Sequence, residues 1–269
     1  MQGLAAEGRA PSIVVLENVV GLLTSGQGRD FAAVCTAMAE AGYRVGALEM
    51  DAALWLPQSR PRLFIVAVRG EAPNAPGPQA PFHTPRLVAA RERLPEAARR
   101  AWAWWSLPAP ARRNLDLDAV LEPDDAVEWL EDGEAVLALA SPLHRARLEA
   151  VLAAGRRRIG AAYRRVRVEN GRKVQRLELR FDGLAGCLRT PAGGSSRQYV
   201  VVCEGGRARL RRLTAREAAR LMGVAEDYRL PPSQSAGLKL MGDAVAVPVV
   251  RALSDGLLTP ALQGRRRAA

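Results

Sequence analysis

The stretch SIVVLENVVGLL, Ser12 to Leu23, decides how the chain is read. Ser12–Leu16 is short, β-branched and almost wholly apolar, the pattern of a buried strand. At its end stand Glu17 and Asn18, and the chain then turns apolar again. An unpaired charge at the end of a core strand is expensive. A carboxylate beside an amide therefore needs a reason there, and taken alone the simpler one is a Glu-Asn turn with its carboxylate in water.

Outward from this strand the first seventy residues read as β-α-β-β. Residues 29–43 form a helix with Phe31, Val34, Cys35 and Met38 as its apolar stripe and Gly42 near its end. Residues 44–51 and 62–68 are strands, so this part is a piece of an α/β sheet. A Pro-rich linker, EAPNAPGPQAPF, follows at 71–82. Beyond it ARRAWAWWSL looks helical, and residues 141–158 read as an amphipathic helix ending at a Gly. Residues 156–180 carry ten basic side chains against two acidic ones. An Asn-Gly pair between alternating flanks makes this segment a basic β-hairpin. Thr214 and Glu217 have capping-box spacing, with Gly223 closing that helix. Residues 242–258 read as a last helix with Asp243 near its start, and Pro248 is tolerated only in its first turn. The tail QGRRRAA is expected to be disordered.

Composition narrows the function classes. The chain has 269 residues and a net charge of +11. Nearly all its cations are Arg, a bias that leaves net charge unchanged, so the excess asks for an acidic partner such as nucleic acid. No apolar run approaches a membrane span. Cys35, Cys187 and Cys203 form neither a disulfide framework nor a metal spacing, and His83 and His144 stand alone. The N-terminal MQGLAAEGRAP is neither a signal nor a transit peptide. A reducing cytoplasm and no metal are expected.

Four motifs give these elements a family. ENV at 17–19, QSRPR at 58–62 opening a strand, RRLTAREAARLMG at 211–223 and GDAVAVPVV at 242–250 closely resemble the later motifs of DNA cytosine-5 methyltransferases, in that family's order. Residues 180–201 resemble the end of a target-recognition region of bacterial modification enzymes. The resemblance implies an α/β fold: an incomplete Rossmann-like S-adenosylmethionine methyltransferase domain at 1–80, continued at 224–262, with an inserted smaller target-recognition domain at 83–223 and a tail at 263–269. It implies methylation of carbon 5 of a flipped cytosine in double-stranded DNA, with S-adenosylmethionine as cofactor. The setting would be a restriction-modification system in a bacterial cytoplasm, associated with the nucleoid.

The resemblance also assigns roles. Glu17 would hydrogen-bond or protonate the edge of the flipped cytosine as charge develops on the ring, with Asn18 shaping the loop at the strand end. Gln58, Arg60 and Arg62 carry the second motif. Alternation along an extended segment puts Arg60 and Arg62 on one side, where they can hold the cytosine carbonyl, a phosphate or Glu17. Arg189, Thr190, Gly193, Gly194, Ser195, Ser196 and Arg197 suit a loop against DNA, and Arg216 can reach a phosphate or Glu217. Asp243, Ala244 and Val245 lie in the segment beside the cofactor, although the family usually has Asn at the position of Asp243. Trp102, Trp104 and Trp105 can stack bases, but core packing suits them better, and Cys187 reads as a small buried residue.

The family's Phe-x-Gly-x-Gly cofactor loop and its Pro-Cys-Gln nucleophile do not occur in the sequence. Without them the sheet would keep an unpaired edge and an apolar face. Three readings stay open: the C-terminal portion of a methyltransferase, a split subunit completed by a second chain carrying the N-terminal half, or a non-catalytic DNA-binding module.

Overall fold

The structure is a computed structural model that describes the backbone of residues 2–190 and 197–268. Two compact units emerge: residues 1–51, 61–111 and 248–269 form the first, and residues 52–60 and 112–247 the second.

The first unit opens with a short helix, α1 (Gln2–Ala6), then β1 (Ile13–Val19), α2 (Arg29–Glu40), β2 (Arg44–Asp51) and β3 (Pro61–Val68). The sheet order is β1-β3-β2, and β3 is antiparallel to both neighbours. β1 and β2 therefore share a direction, as the β-α-β crossover requires, but the strand between them runs the other way. β3 is central, and Leu63 through Val68 are all buried, which is what a continuous apolar run demands. Leu63, Ile65 and Ala67 join Phe31 and Cys35 of α2 and Val45 and Ala47 of β2 in one core.

β1 runs to Val19 instead of ending at Leu16, so Glu17 and Asn18 belong to the strand itself. It is a terminal strand of the sheet. Val15 is 38% exposed, Leu16 36% and Val19 54%. The opposite edge is covered: Val45 donates to Ala101 and Ala103 donates to Val45, at 2.9 and 2.8 Å.

The Pro-rich stretch is no free linker. It contributes β4 (Asn74–Ala75), and Phe82 accepts from the Glu49 amide at 2.9 Å and is buried. Helices α3 (Pro85–Glu92) and α4 (Glu96–Arg100) follow. The helix expected over the tryptophans stops at Arg100, and Trp104 and Trp105 form β5 against β4. Gly46 permits this: a Cβ there would lie 2.1 Å from the Ala103 carbonyl. Trp105 is fully buried and donates its indole N–H to the Val66 carbonyl at 2.9 Å. Trp102 packs edge-on against Phe31 and Trp104. The tryptophans are core residues.

The second unit contains α5 (Gly133–Leu137), α6 (Pro142–Ala153) and an antiparallel sheet of order β7-β6-β8-β9. These strands are β6 (Arg158–Glu169), β7 (Arg172–Arg180), β8 (Gln198–Glu204) and β9 (Arg207–Arg212). The expected hairpin is present: Asn170 and Gly171 both have positive φ, 50° and 76°, the requirement of a two-residue primed turn. Pairing with β8 stops at Tyr163, so β6 and β7 continue beyond it as a two-stranded ribbon. One face of the sheet, with Ala162, Leu177, Leu179, Tyr199, Val201 and Leu210, packs with Val136 and Leu148 of the two helices.

Next come α7 (Ala215–Leu221), held by the full Thr214–Glu217 capping box, and α8 (Gln234–Asp243). Asp243 thus ends a helix instead of beginning one. Residues 244–246 are not helical, and α9 (Val247–Leu253) starts with Pro248 as its second residue, where its missing N–H does no harm. α10 (Thr259–Ala268) carries the chain through the tail expected to be disordered. Residues 234–263 have the length and composition of one membrane-crossing helix, but the break at 244–246 divides them.

The units divide the chain differently from the expected boundaries at 83 and 223. Residues 83–111 belong with the α/β sheet, and 224–247 with the second unit. The expected boundary followed the Pro-rich composition, whereas packing of Trp102 and Trp105 onto β2 and β3 decides the observed one.

Candidate active site

In the first unit, β1 and β3 bring the first motif and the end of the second together. Glu17 is opposite Phe64 and Val19 opposite Arg62, so Arg62 is the diagonal neighbour of Glu17 on the same sheet face. The Arg62 Nε lies 2.8 Å from Glu17 Oε1, with the carboxylate side chain 33% exposed. Arg62 also donates to the Pro61 carbonyl at 3.0 Å. Asn18 accepts from the Val19 amide at 2.8 Å, fixing the backbone where the strand passes into a 3-10 turn at Val20–Leu23. The pair at the strand end is thus a carboxylate on a guanidinium beside an amide that shapes the turn. A carboxylate held this way can accept or deliver a proton at the sheet edge.

In the second unit, Gln58 and Arg60 are buried. Gln58 Nε2 donates to the Leu221 carbonyl at 2.7 Å, and its Oε1 accepts from the Leu188 amide at 3.2 Å. Arg60 donates to three carbonyls: Leu188 at 2.8 Å, Gly242 at 3.1 Å and Ala244 at 2.7 Å. The expectation that alternation sets Arg60 and Arg62 to one task fails on a boundary. β3 begins at Pro61, so Arg60 precedes the strand and the alternation rule does not reach it.

Arg189 is exposed and Arg197 half-buried. Both line a cavity of about 480 Å³ with Trp129, Leu188, Gln198, Arg212 and Leu213. Gly193, Gly194, Ser195 and Ser196 lie outside the described residues. The Thr190 hydroxyl donates to Asp243. Arg216 donates to the Tyr228 carbonyl at 2.9 Å. It does not take Glu217, which belongs to Arg211 through bonds of 2.7 and 2.9 Å. That fully buried pair escaped the sequence reading. The capping box revealed Glu217 but gave no sign of its cation six residues earlier.

Two of the three cysteines, Cys35 and Cys203, are buried. Burial pushes the Cys35 thiol up to about 12 and the Cys203 thiol up to about 11. Cys187 is half-buried with its sulfur 3.5 Å from an Arg60 nitrogen. Among the described residues no cluster of His, Cys, Asp and Glu is placed to hold a metal ion. In the non-helical stretch 244–246 the Ala244 amide donates to Leu240 and its carbonyl accepts from Arg60, while the Asp243 carboxylate is engaged by Thr190.

The family of C-5 cytosine-specific DNA methylases matches residues 5–258. Orphan methyltransferase M.SPBetaI of Bacillus phage SPbeta is 36% identical over 67 residues, 24% of this chain and 15% of that protein. Type II methyltransferase M.SsoII of Shigella sonnei is 39% identical over 49 residues, 18% of this chain and 13% of that protein. Among solved structures, the Entamoeba histolytica methyltransferase EhMeth superposes on 91% of this chain and 62% of its own, at 11% identity and a TM-score of 0.48. S. pombe Dnmt2 methyltransferase covers 90% of this chain and 65% of its own, at 15% identity and a TM-score of 0.47. The chain thus spans less than two thirds of the length of these relatives. With the family matched over nearly the whole sequence, the chain belongs to the C-5 cytosine-specific DNA methylases.

Proposed function

We propose that this chain is the base-binding and target-recognition part of a site-specific DNA (cytosine-5-)-methyltransferase of the restriction-modification type. The Pro-Cys nucleophile and the Gly-rich cofactor loop would come from an N-terminal half, on the same polypeptide or on a second chain. The Glu17–Arg62 pair at the end of β1 carries the proposal. A cytosine flipped from the duplex would present its ring nitrogen 3 and exocyclic amine to Glu17. Glu17 hydrogen-bonds or protonates that edge as nucleophilic attack loads the ring with electrons. Arg62 holds the carboxylate in place and balances its charge. S-adenosylmethionine, when bound, supplies the electrophilic methyl group, and Asp243, Ala244 and Val245 form the part of its surround that this chain contributes. Arg189, Thr190 and Arg197 would contact the duplex, and Arg216 adds a cation nearby in the sequence.

Exposure of Val15, Leu16 and Val19 on a terminal strand supports an N-terminal half packed on β1, since a strand this apolar is stable when covered. The test is transfer of labelled methyl groups to cytosine-containing duplex. The chain alone is expected to show none, and the chain mixed with a matching N-terminal half is expected to show transfer. Transfer by the isolated chain would refute the need for a partner. No transfer from a mixture that binds DNA would favour the non-catalytic module.

A further inference from the structure

Gln58 and Arg60 stand within the second unit at a junction of three backbone segments. Residues 57–60 lie alongside Ala185: Ser59 donates to the Ala185 carbonyl at 3.0 Å, and Ala185 donates to Pro57 at 2.8 Å. From this platform Gln58 grips the end of α7 and the Leu188 amide. Arg60 grips the Leu188 carbonyl on one side and the end of α8, through Gly242 and Ala244, on the other. The last carbonyls of a helix have no partner within it, and a cation suits that end. A planar guanidinium can hold several carbonyls at once, which a single ammonium cannot do as well.

Two further contacts tighten the junction. A Cβ on Gly242 would lie 2.6 Å from both the Arg189 carbonyl carbon and the Thr190 nitrogen, so here backbone meets backbone. The Thr190 hydroxyl donates to Asp243. An Asp at a helix C-terminus is disfavoured by the helix dipole, and Thr190 gives it a donor. Residues 188–190 are the root of the proposed DNA loop, and 242–244 open the proposed cofactor segment.

We propose that Arg60 is a positioning residue that ties Leu188–Thr190 to Gly242–Ala244, so that Leu188–Thr190 and the cofactor segment take up their binding conformations together. Thr190 and Asp243 form the outer half of the same tie. The proposal rests on the assignment of 189–197 to DNA and 243–245 to the cofactor.

Hydrogen–deuterium exchange on the full chain, with and without a cytosine-containing duplex, tests it. Duplex is expected to slow exchange in a peptide spanning 242–248, and Thr190→Val or Asp243→Ala to abolish that remote effect while strand 199–203 stays protected. Both variants change exposed or half-exposed side chains, so they keep the test valid if Arg60→Lys fails to fold. In duplex titrations each is expected to weaken binding roughly three- to tenfold, and the double variant no more than the worse single one. Additive losses, or unchanged exchange at 242–248 when duplex is bound, would overturn the tie. Arg189→Ala is the control for the DNA assignment. If it leaves duplex affinity unchanged, that assignment fails, and the tie is judged without DNA. Thr190→Val must then still speed exchange at 242–248 by about threefold or more, and an unchanged rate ends the proposal.

Discussion

Glu17 sits where its strand meets solvent, one third exposed and anchored by Arg62, and that setting fixes what its replacement should do. Glu17→Gln keeps the shape and removes the acid. In the reconstituted enzyme it is expected to slow methyl transfer by at least about 100-fold, the usual worth of a placed general acid. Duplex affinity should stay within about twofold, as a filter-binding titration would show. Glu217 is a different carboxylate. It is fully buried, doubly bonded to Arg211, and also accepts from the amides of Glu122 and Thr214. Removing one member of such a pair strands the other, so Glu217→Ala should lower unfolding free energy by roughly 3–5 kcal/mol, read from urea denaturation. At this scale the sequence showed Glu17 through its odd place in an apolar run. It showed Glu217 only as a cap, because Arg211 reaches it across a strand-to-helix turn that spacing rules do not describe. Arg60 was misassigned because period-two alternation holds only inside a strand.

The ribbon formed by β6 and β7 is less available to DNA than its composition suggests. Glu178 takes Arg167 and the Tyr163 hydroxyl, and Glu169 takes Arg176. Arg180 is paired with Asp182. Arg172 and Lys173, next to the turn, are exposed. These two should dominate the salt dependence of duplex binding. Replacing both with Ala is expected to reduce the slope of log affinity against log salt by about 0.9 per lost phosphate contact, whereas Arg176→Ala should change it little. Gly171 has φ +76°, so Gly171→Ala should destabilise the hairpin by about 1–2 kcal/mol, visible as a lower melting temperature. The Asn-Gly pair made this element legible to within a residue or two. The helix imagined over the tryptophans was not legible, because apolar spacing cannot distinguish a helical stripe from an extended segment laid along a sheet edge.

Acid should loosen both units. Hydrogen bonding and charge from Arg157 hold the Asp124 carboxyl below its ordinary value of 3.8. Burial would raise Glu49 and Glu178. Hydrogen bonds from Arg86 and Thr84 to the first, and from Tyr163 and Arg167 to the second, outweigh it and bring both below 4.5. Groups depressed on folding stabilise the native state above their unfolded values and lose that contribution as pH falls through the folded ones. The melting temperature is therefore expected to hold near neutrality and fall below about pH 4.5, measured by circular dichroism. The sheet and the capped helix could be read from the sequence, whereas the partition into units could not. Composition marks Pro-rich stretches, but the boundary follows the aromatic contacts that place 101–105 along β2. The nine residues from Ala52 to Arg60, although they connect β2 to β3, belong to the second unit. On the function proposed above, sequence specificity is consequently not a single cassette. A chimera that transplants 112–247 alone would inherit a foreign Gln58 and Arg60, and exchanging specificities between homologues requires moving this short connector with the larger block.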